Sequence, residues 1–219
     1  ISGQRKLDEA LSASGHEAMD FDGNFQRVGS ANAEPTRAFV EKLSEESWYQ
    51  DTSNVHGLPR DDGSQVIYLV HDDQMRHDQP VRQPALEVFE RPIWPILAVA
   101  ADFFDGSPEG LALSEQHGQG YFVRARLLRI LNGAALETPA DTSFSEVRAH
   151  RVHVPVLTSD RVEFTVGGET LCIPAGEIYE VNNCRPRRIL NRGAKSCVHL
   201  VLEYVRKGEA VPQDTAVTG

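Results

Sequence analysis

Two short segments set side chains capable of binding and proton transfer at a spacing of two. In the run His150-Arg151-Val152-His153-Val154 a single residue separates Arg151 from His153, and near the C-terminal end Val198 separates Cys197 from His199. Successive side chains of a strand point to opposite sides, so each pair falls on one face. A guanidinium offers a carboxylate a planar fork of donors, and an imidazole changes charge near neutral pH. The chemistry within reach is anion recognition combined with acid–base work. A third cluster, His71, Asp72, Asp73 and His77, has metal-ligating types but no recognised ligand spacing, and reads as a solvated loop. Arg124, Arg126 and Arg129 recur on one predicted strand, the first two on one face and the third on the other. They read as a solvated or ion-paired strand.

The elements that must position these groups are legible in outline. From Gly120 onward short apolar runs alternate with turn signals, predicting strands at 122–131, 152–157, 162–166, 170–173, 177–181, 187–190 and 197–205. Gly167-Gly168 is a two-residue hairpin signal, and 174–176 and 191–193 are turns. Closely spaced antiparallel strands of this kind suggest a sandwich or jelly roll. Upstream, Glu34-Pro35 opens a helix expected to end near Tyr49, and 65–70 reads as a strand. A second helix is expected over 93–104, with Pro95 in its first turn. The first 30 residues are polar and glycine-rich, and read as a loosely packed arm with a short helix over 5–12. The expected division is therefore an arm (1–30), a helical and mixed segment packing on the barrel (31–118), a β core (119–207) and a flexible tail (208–219).

Composition limits the partners. The 219 residues carry 22 Lys and Arg against 32 Asp and Glu, a formal charge of −10, which argues against nucleic acid or an anionic membrane surface. The longest apolar stretch, from Ile93 to Phe104, falls short of the roughly 20 residues that span a bilayer. Cys172, Cys184 and Cys197 fit neither a disulfide framework nor a Cys-x-x-Cys metal site, and Arg5, Lys6, Asp8 and Glu9 leave no secretory signal visible. A cytoplasmic location and a small-molecule partner are expected; the oligomeric state stays open.

Several spaced anchors carry a resemblance. His150-Arg151-Val152-His153-Val154-Pro155-Val156, Pro174-Ala175-Gly176-Glu177, Val181-Asn182-Asn183, Asn191-Arg192-Gly193 and Val198-His199-Leu200 follow one another as in the aspartyl/asparaginyl β-hydroxylase family, which this chain resembles from Arg126 to Tyr204. The resemblance implies a mainly β chain with flanking helices, folded as a double-stranded β-helix, a cupin-like jelly roll. It also implies iron(II) and 2-oxoglutarate dependent hydroxylation. Read position by position, it implies altered metal sites. The place of the family's first metal histidine is taken by Pro139, with Asp141 as the possible carboxylate. The second metal histidine falls on Arg187, which has no lone pair to give a metal, and the arginine that pairs with the oxo acid falls on Cys197.

The residues that survive define the expected site. Arg151-x-His153 lies on an inner strand, and with this registration Arg187, Cys197 and His199 face the same interior. His153, His199 and Arg187 are the catalytic candidates, and Arg151, Asp141 and Cys197 the ligand-binding ones. Cys197 reads more simply as a small residue making room than as a nucleophile. His56 is expected on a loop over the barrel mouth. Three readings stay open. The first is a member that takes no cofactor and carries out metal-free acid–base conversion, by cyclisation, isomerisation or elimination, of a small carboxylate or carbonyl metabolite. The second is an iron(II)/2-oxoglutarate hydroxylase with displaced ligands Asp141, His153 and His199. The third is a non-catalytic ligand-binding or partner subunit.

Overall fold

The computed structural model describes residues 23–48, 63–72, 80–141 and 144–209. Among these residues eleven strands form two antiparallel sheets. They are β1 (Phe25–Ser30), β2 (Ser64–His71), β3 (Val81–Arg82), β4 (Tyr121–Ile130), β5 (Ala135–Thr138), β6 (His150–Leu157), β7 (Val162–Val166), β8 (Glu169–Leu171), β9 (Glu177–Val181), β10 (Arg187–Asn191) and β11 (Cys197–Val205). The large sheet runs β1-β9-β6-β11-β4-β2-β3 and the small sheet β5-β10-β7-β8. From β4 onward the chain alternates between them: β4, β6, β9 and β11 go to the large sheet and β5, the β7–β8 hairpin and β10 to the small one. That alternation is a double-stranded β-helix, the expected fold.

Each face of the large sheet has its own partner. Val152, Val154 and Val156 on β6 and Leu200 and Leu202 on β11 are fully buried against helices, each contributing about 1.5–3 kcal/mol through burial. The opposite face turns toward the small sheet, where Leu128, Phe164, Ile189 and Val201 pack as a second cluster. The tight β7–β8 turn is made by Gly167 and Gly168 at φ 56° and 92°, a region that side chains with a Cβ rarely adopt.

The flanking helices differ from expectation. Helix α1 (Glu34–Val40) stops well before Tyr49, and a 3-10 turn (Glu45–Trp48) follows. Helix α2 (Pro84–Asp105) begins more than two turns before the expected start and runs through Pro92 and Pro95. An interior proline costs about 3 kcal/mol. Against that cost, Leu86, Phe89, Ile93, Ile96, Ala100 and Phe104 recur at helical spacing and are all buried on the sheet. Helix α3 (Pro108–His117) was not expected; its start is capped by Ser107, whose hydroxyl accepts the Gly110 N–H at 3.0 Å. A short turn of helix, α4 (Phe144–Val147), lies before β6.

Residues 25–30, read in sequence as part of a loose arm, instead form edge strand β1 paired to β9. Likewise β2 and β3, within the segment expected to pack on the barrel, extend the large sheet beyond β4. The predicted helix over 5–12, the loop carrying His56, and Asp73 and His77 lie outside the described residues. Among the described residues no helix is long and apolar enough to cross a membrane.

Candidate functional site

Between the two sheets lies a cavity of about 330 Å³. Its polar wall comes from the inward rows of three neighbouring strands, set by their register. Glu203 on β11 stands opposite Arg124 on β4 and Arg151 on β6, while Val201 stands opposite Arg126 and His153. Arg187 reaches in from β10, and Asp141 from the segment after β5. Arg124 and Arg126 share the cavity face, whereas Arg129 points the other way, to Glu45 and to the ring of Trp48 at 4.8 Å. The ion-paired reading of this strand describes all three, but the first two belong to the site.

The charges form one network. Glu203 is buried and accepts from Arg124 Nε, from Arg126 Nη1 at 3.0 Å and from Arg151 Nη2 at 3.0 Å. Burial alone would push its carboxyl up, but Arg151, Arg126 and Arg124 outweigh burial and hold it well below the usual range. Asp141 links Arg151 to a fourth guanidinium, Arg187, with Oδ2 2.5 Å from Arg151 Nη1 and Oδ1 accepting from Arg187 Nη2 at 2.8 Å. Arg187 also donates to the Asn183 carbonyl at 2.9 Å, and the Asp141 N–H donates to that same carbonyl at 2.9 Å. Asn183 is in turn fixed by donating to the carbonyls of Glu146 and Ala149. Burial, then repulsion from Arg151, push the Arg187 guanidinium down against the pull of Asp141.

Two properties define what this wall can do. Five arginines (Arg124, Arg126, Arg151, Arg187, Arg188) line the cavity beside three carboxylates (Asp141, Glu146, Glu203), and Asp72 on Arg124 and Glu137 on Arg188 complete the pairing, so the wall offers guanidinium donors rather than a net charge. Arg126 is the most open of the buried-network arginines, with 24% of its side chain exposed and Glu203 as its ion-pair partner among the described residues. It therefore has donors to offer an incoming anion.

Of the expected site residues, Asp141, Arg151, His153 and Arg187 meet at this cavity. His199 does not line it. Its ring lies 5.8 Å from that of His153 and 5.9 Å from that of Phe164, and neither of its nitrogens has a hydrogen-bond partner among the described residues. Burial lowers the His199 pKa to about 4. Burial, then His199 and the nearby arginines, hold His153 well below the usual imidazole range, so both rings are neutral at neutral pH. Cys197 is likewise displaced from its expected ligand-binding role. It lies deeper on the same face of β11, in the apolar cluster with Ile130 and Ile189, and burial pushes its thiol up to about 12. Arg124, Arg126 and Glu203 were missed in sequence as cavity residues. The signal was available for Glu203, which follows Cys197, His199 and Val201 on one face of one strand.

Iron(II) in a non-haem site requires imidazole and carboxylate donors converging with open positions. Among the described residues no three His, Cys, Asp or Glu side chains come together in this way. The displaced set Asp141, His153 and His199 fails on two counts: Asp141 is engaged by two guanidiniums, and His199 sits behind the cavity wall. The residues present do not fit the metal. The arginine-lined wall does fit the carboxylates of an oxo acid.

No family model matches the chain, and no curated protein does. Solved structures do. The viral collagen prolyl hydroxylase of Paramecium bursaria Chlorella virus-1, solved with 2-oxoglutarate, superposes with a TM-score of 0.53 at 7% identity over 86% of this chain and 98% of that one. A Pseudomonas putida prolyl-4-hydroxylase gives 0.48 at 13% identity over 93% and 98%. A 2OG-Fe(II) oxygenase family oxidoreductase from Burkholderia pseudomallei gives 0.49 at 17% over 68% and 71%. The expectation that the chain takes no cofactor is corrected by the first of these likenesses: the viral prolyl hydroxylase that shares the architecture was solved with 2-oxoglutarate. The narrower aspartyl/asparaginyl β-hydroxylase resemblance rests on its sequence anchors alone. At the level these likenesses reach, the chain shares the double-stranded β-helix fold of the viral prolyl hydroxylase.

Proposed function

We propose that this chain is an enzyme of the oxygenase fold whose barrel cavity binds a small 2-oxo acid, of the class to which 2-oxoglutarate belongs. The observation that carries the reading is the cluster of guanidiniums on the wall of one cavity, with Arg126 partly open and Arg187 fixed from behind by Asp141 and Asn183. Arg126 receives the ligand's carboxylate and Arg187 orients it. The bidentate geometry of a guanidinium favours a planar carboxylate over a spherical anion. His153, neutral and on the cavity wall, serves as a hydrogen-bond partner for the ligand's oxo group.

The metal-free conversions expected from sequence, cyclisation, isomerisation or elimination, require an imidazole that takes up a proton readily. Burial disfavours the imidazolium at both His153 and His199, and at His153 the neighbouring His199 and arginines add to it, so the fold's oxygenase relatives are the better guide to the ligand than acid–base chemistry is. Among the described residues the donors that iron(II) needs do not converge in this cavity.

The test is calorimetric titration of the wild type, Arg126→Gln and Arg187→Gln with 2-oxoglutarate, each variant first checked for a native circular dichroism spectrum. Loss of one charge-assisted bond, worth about 1.5–3 kcal/mol, predicts affinity roughly 10- to 150-fold weaker in each variant. Equal affinity in all three proteins would overturn the assignment.

A further inference from the structure

We infer that Tyr68 and His71 form a platform for a flat ring, and that the ligand of the barrel cavity is a carboxylate bearing an aromatic group. This rests on the carboxylate reading for the ligand's charged end. Both side chains line the cavity, and their rings lie 4.9 Å apart, tilted by 57°. In a regular strand residues three apart point to opposite faces, so Tyr68 and His71 should be separated. The register of β2 against β4 shifts between Tyr68 and Val70, however: Tyr68 pairs with Arg126, and Val70 already pairs with Ala125. The extra residue leaves Leu69 and Val70 both in the core under α2 and turns His71 back onto the cavity face. Bulges of this kind re-aim side chains beside functional sites.

The neighbours fix the chemistry. Tyr68 stands directly opposite Arg126 on the same face, so the two rings adjoin the guanidinium with donors to spare. Val66, Leu128, Leu136 and Ile189 complete an apolar wall around them. An aryl group packs on such rings in an edge or offset arrangement while its carboxylate reaches Arg126. The cavity's roughly 330 Å³ lies at the lower end of the range for small-molecule sites, enough for an acid with one ring.

The probes are benzoylformate and pyruvate, two 2-oxo acids that differ in carrying a phenyl or a methyl group, together with benzyl alcohol as an uncharged ring. Affinities for the acids are read by calorimetry, and ring contact by saturation-transfer NMR. The wild type is expected to bind benzoylformate roughly tenfold more tightly than pyruvate. Tyr68→Leu and His71→Ala should bring that ratio toward one with pyruvate affinity unchanged, and should weaken the benzyl alcohol signal. Arg126→Gln should weaken both acids alike and leave benzyl alcohol bound. If the acids bind equally and benzyl alcohol ignores Tyr68→Leu, the platform is overturned while the carboxylate site stands. If neither acid binds but benzyl alcohol does so through Tyr68, the carboxylate reading falls and the platform stands. If no probe binds, both fall.

Discussion

Replacing Glu203 by Gln tests the charge network at its centre. The carboxylate is buried and is the shared acceptor of Arg124, Arg126 and Arg151. Glutamine keeps an acceptor oxygen but removes the charge, leaving the buried Arg124 and Arg151 dependent on Asp72, Asp141 and the partly exposed Glu146. Breaking a buried ion pair by removing one partner costs about 3–5 kcal/mol. The Arg126 contact is discounted because that guanidinium is a quarter exposed. The expected loss is therefore about 3–4 kcal/mol at pH 7, a large share of the 5–15 kcal/mol typical of a domain. The pH dependence has a definite sign. The folded pKa of Glu203 lies well below the ordinary glutamate value of about 4.3, so the unfolded chain binds the proton first on acidification. Its contribution is complete above that ordinary value and is lost as pH falls toward the folded pKa. Urea unfolding of wild type and Glu203→Gln at pH 7, 5, 4 and 3 reads both quantities. The difference should be full at pH 7 and 5 and shrink below about 4.3. A loss under about 1 kcal/mol, or one that does not change with pH, would refute the network as described.

Other expectations follow from the same geometry. Asp141→Asn should cost about 2–3 kcal/mol in urea unfolding, and in a double-mutant cycle with Arg187→Gln the two losses should fall short of additive by at least about 1 kcal/mol; full additivity would deny the pair. His199→Leu replaces a buried ring whose two nitrogens lack partners among the described residues with an apolar side chain, so stability at pH 7 should hold or rise; a drop above about 2 kcal/mol would show a partner that this geometry lacks. Because the pKa of His199 is about 4 when folded and about 6.5 when unfolded, the unfolded state binds the proton first, and wild-type stability should fall by roughly 3 kcal/mol between pH 6.5 and 4 on this account. His199→Leu should remove most of that slope, and an unchanged slope would assign it elsewhere. Thr36→Val deletes the hydroxyl that donates to the Pro92 carbonyl at 2.8 Å, at a cost of about 1 kcal/mol in thermal unfolding; no change would leave α1 without that anchor to α2.

The strands of the barrel were legible because each carries its own signal, an apolar run bounded by turn residues. The hairpin at Gly167-Gly168 is the clearest case. The start of α2 was not legible, since Pro92 and Pro95 read locally as a boundary and only the sheet beneath explains a helix running through them. Strand β1 was hidden in polar, glycine-containing sequence; it exists because β9 offers an edge. In the site, the face shared by Arg151 and His153 followed from strand alternation, and Arg187 and Asp141 from the family registration. Cys197 and His199 do lie on the inner face, but position along β11 puts them below the cavity, a depth that alternation does not encode. Arg124 and Arg126 were assigned to a common face, yet which face met the cavity depended on β11 placing Glu203 opposite them. His71 reached the cavity through a bulge, which a periodicity of two cannot anticipate.

Calorimetric titration of metal-depleted wild-type protein with 2-oxoglutarate decides whether the arginine wall holds a carboxylate by itself. Saturable binding at one molecule per chain is expected, weakened by added salt because the contact is ionic. Absence of binding at millimolar 2-oxoglutarate, or binding that appears only once iron(II) is added, would contradict it.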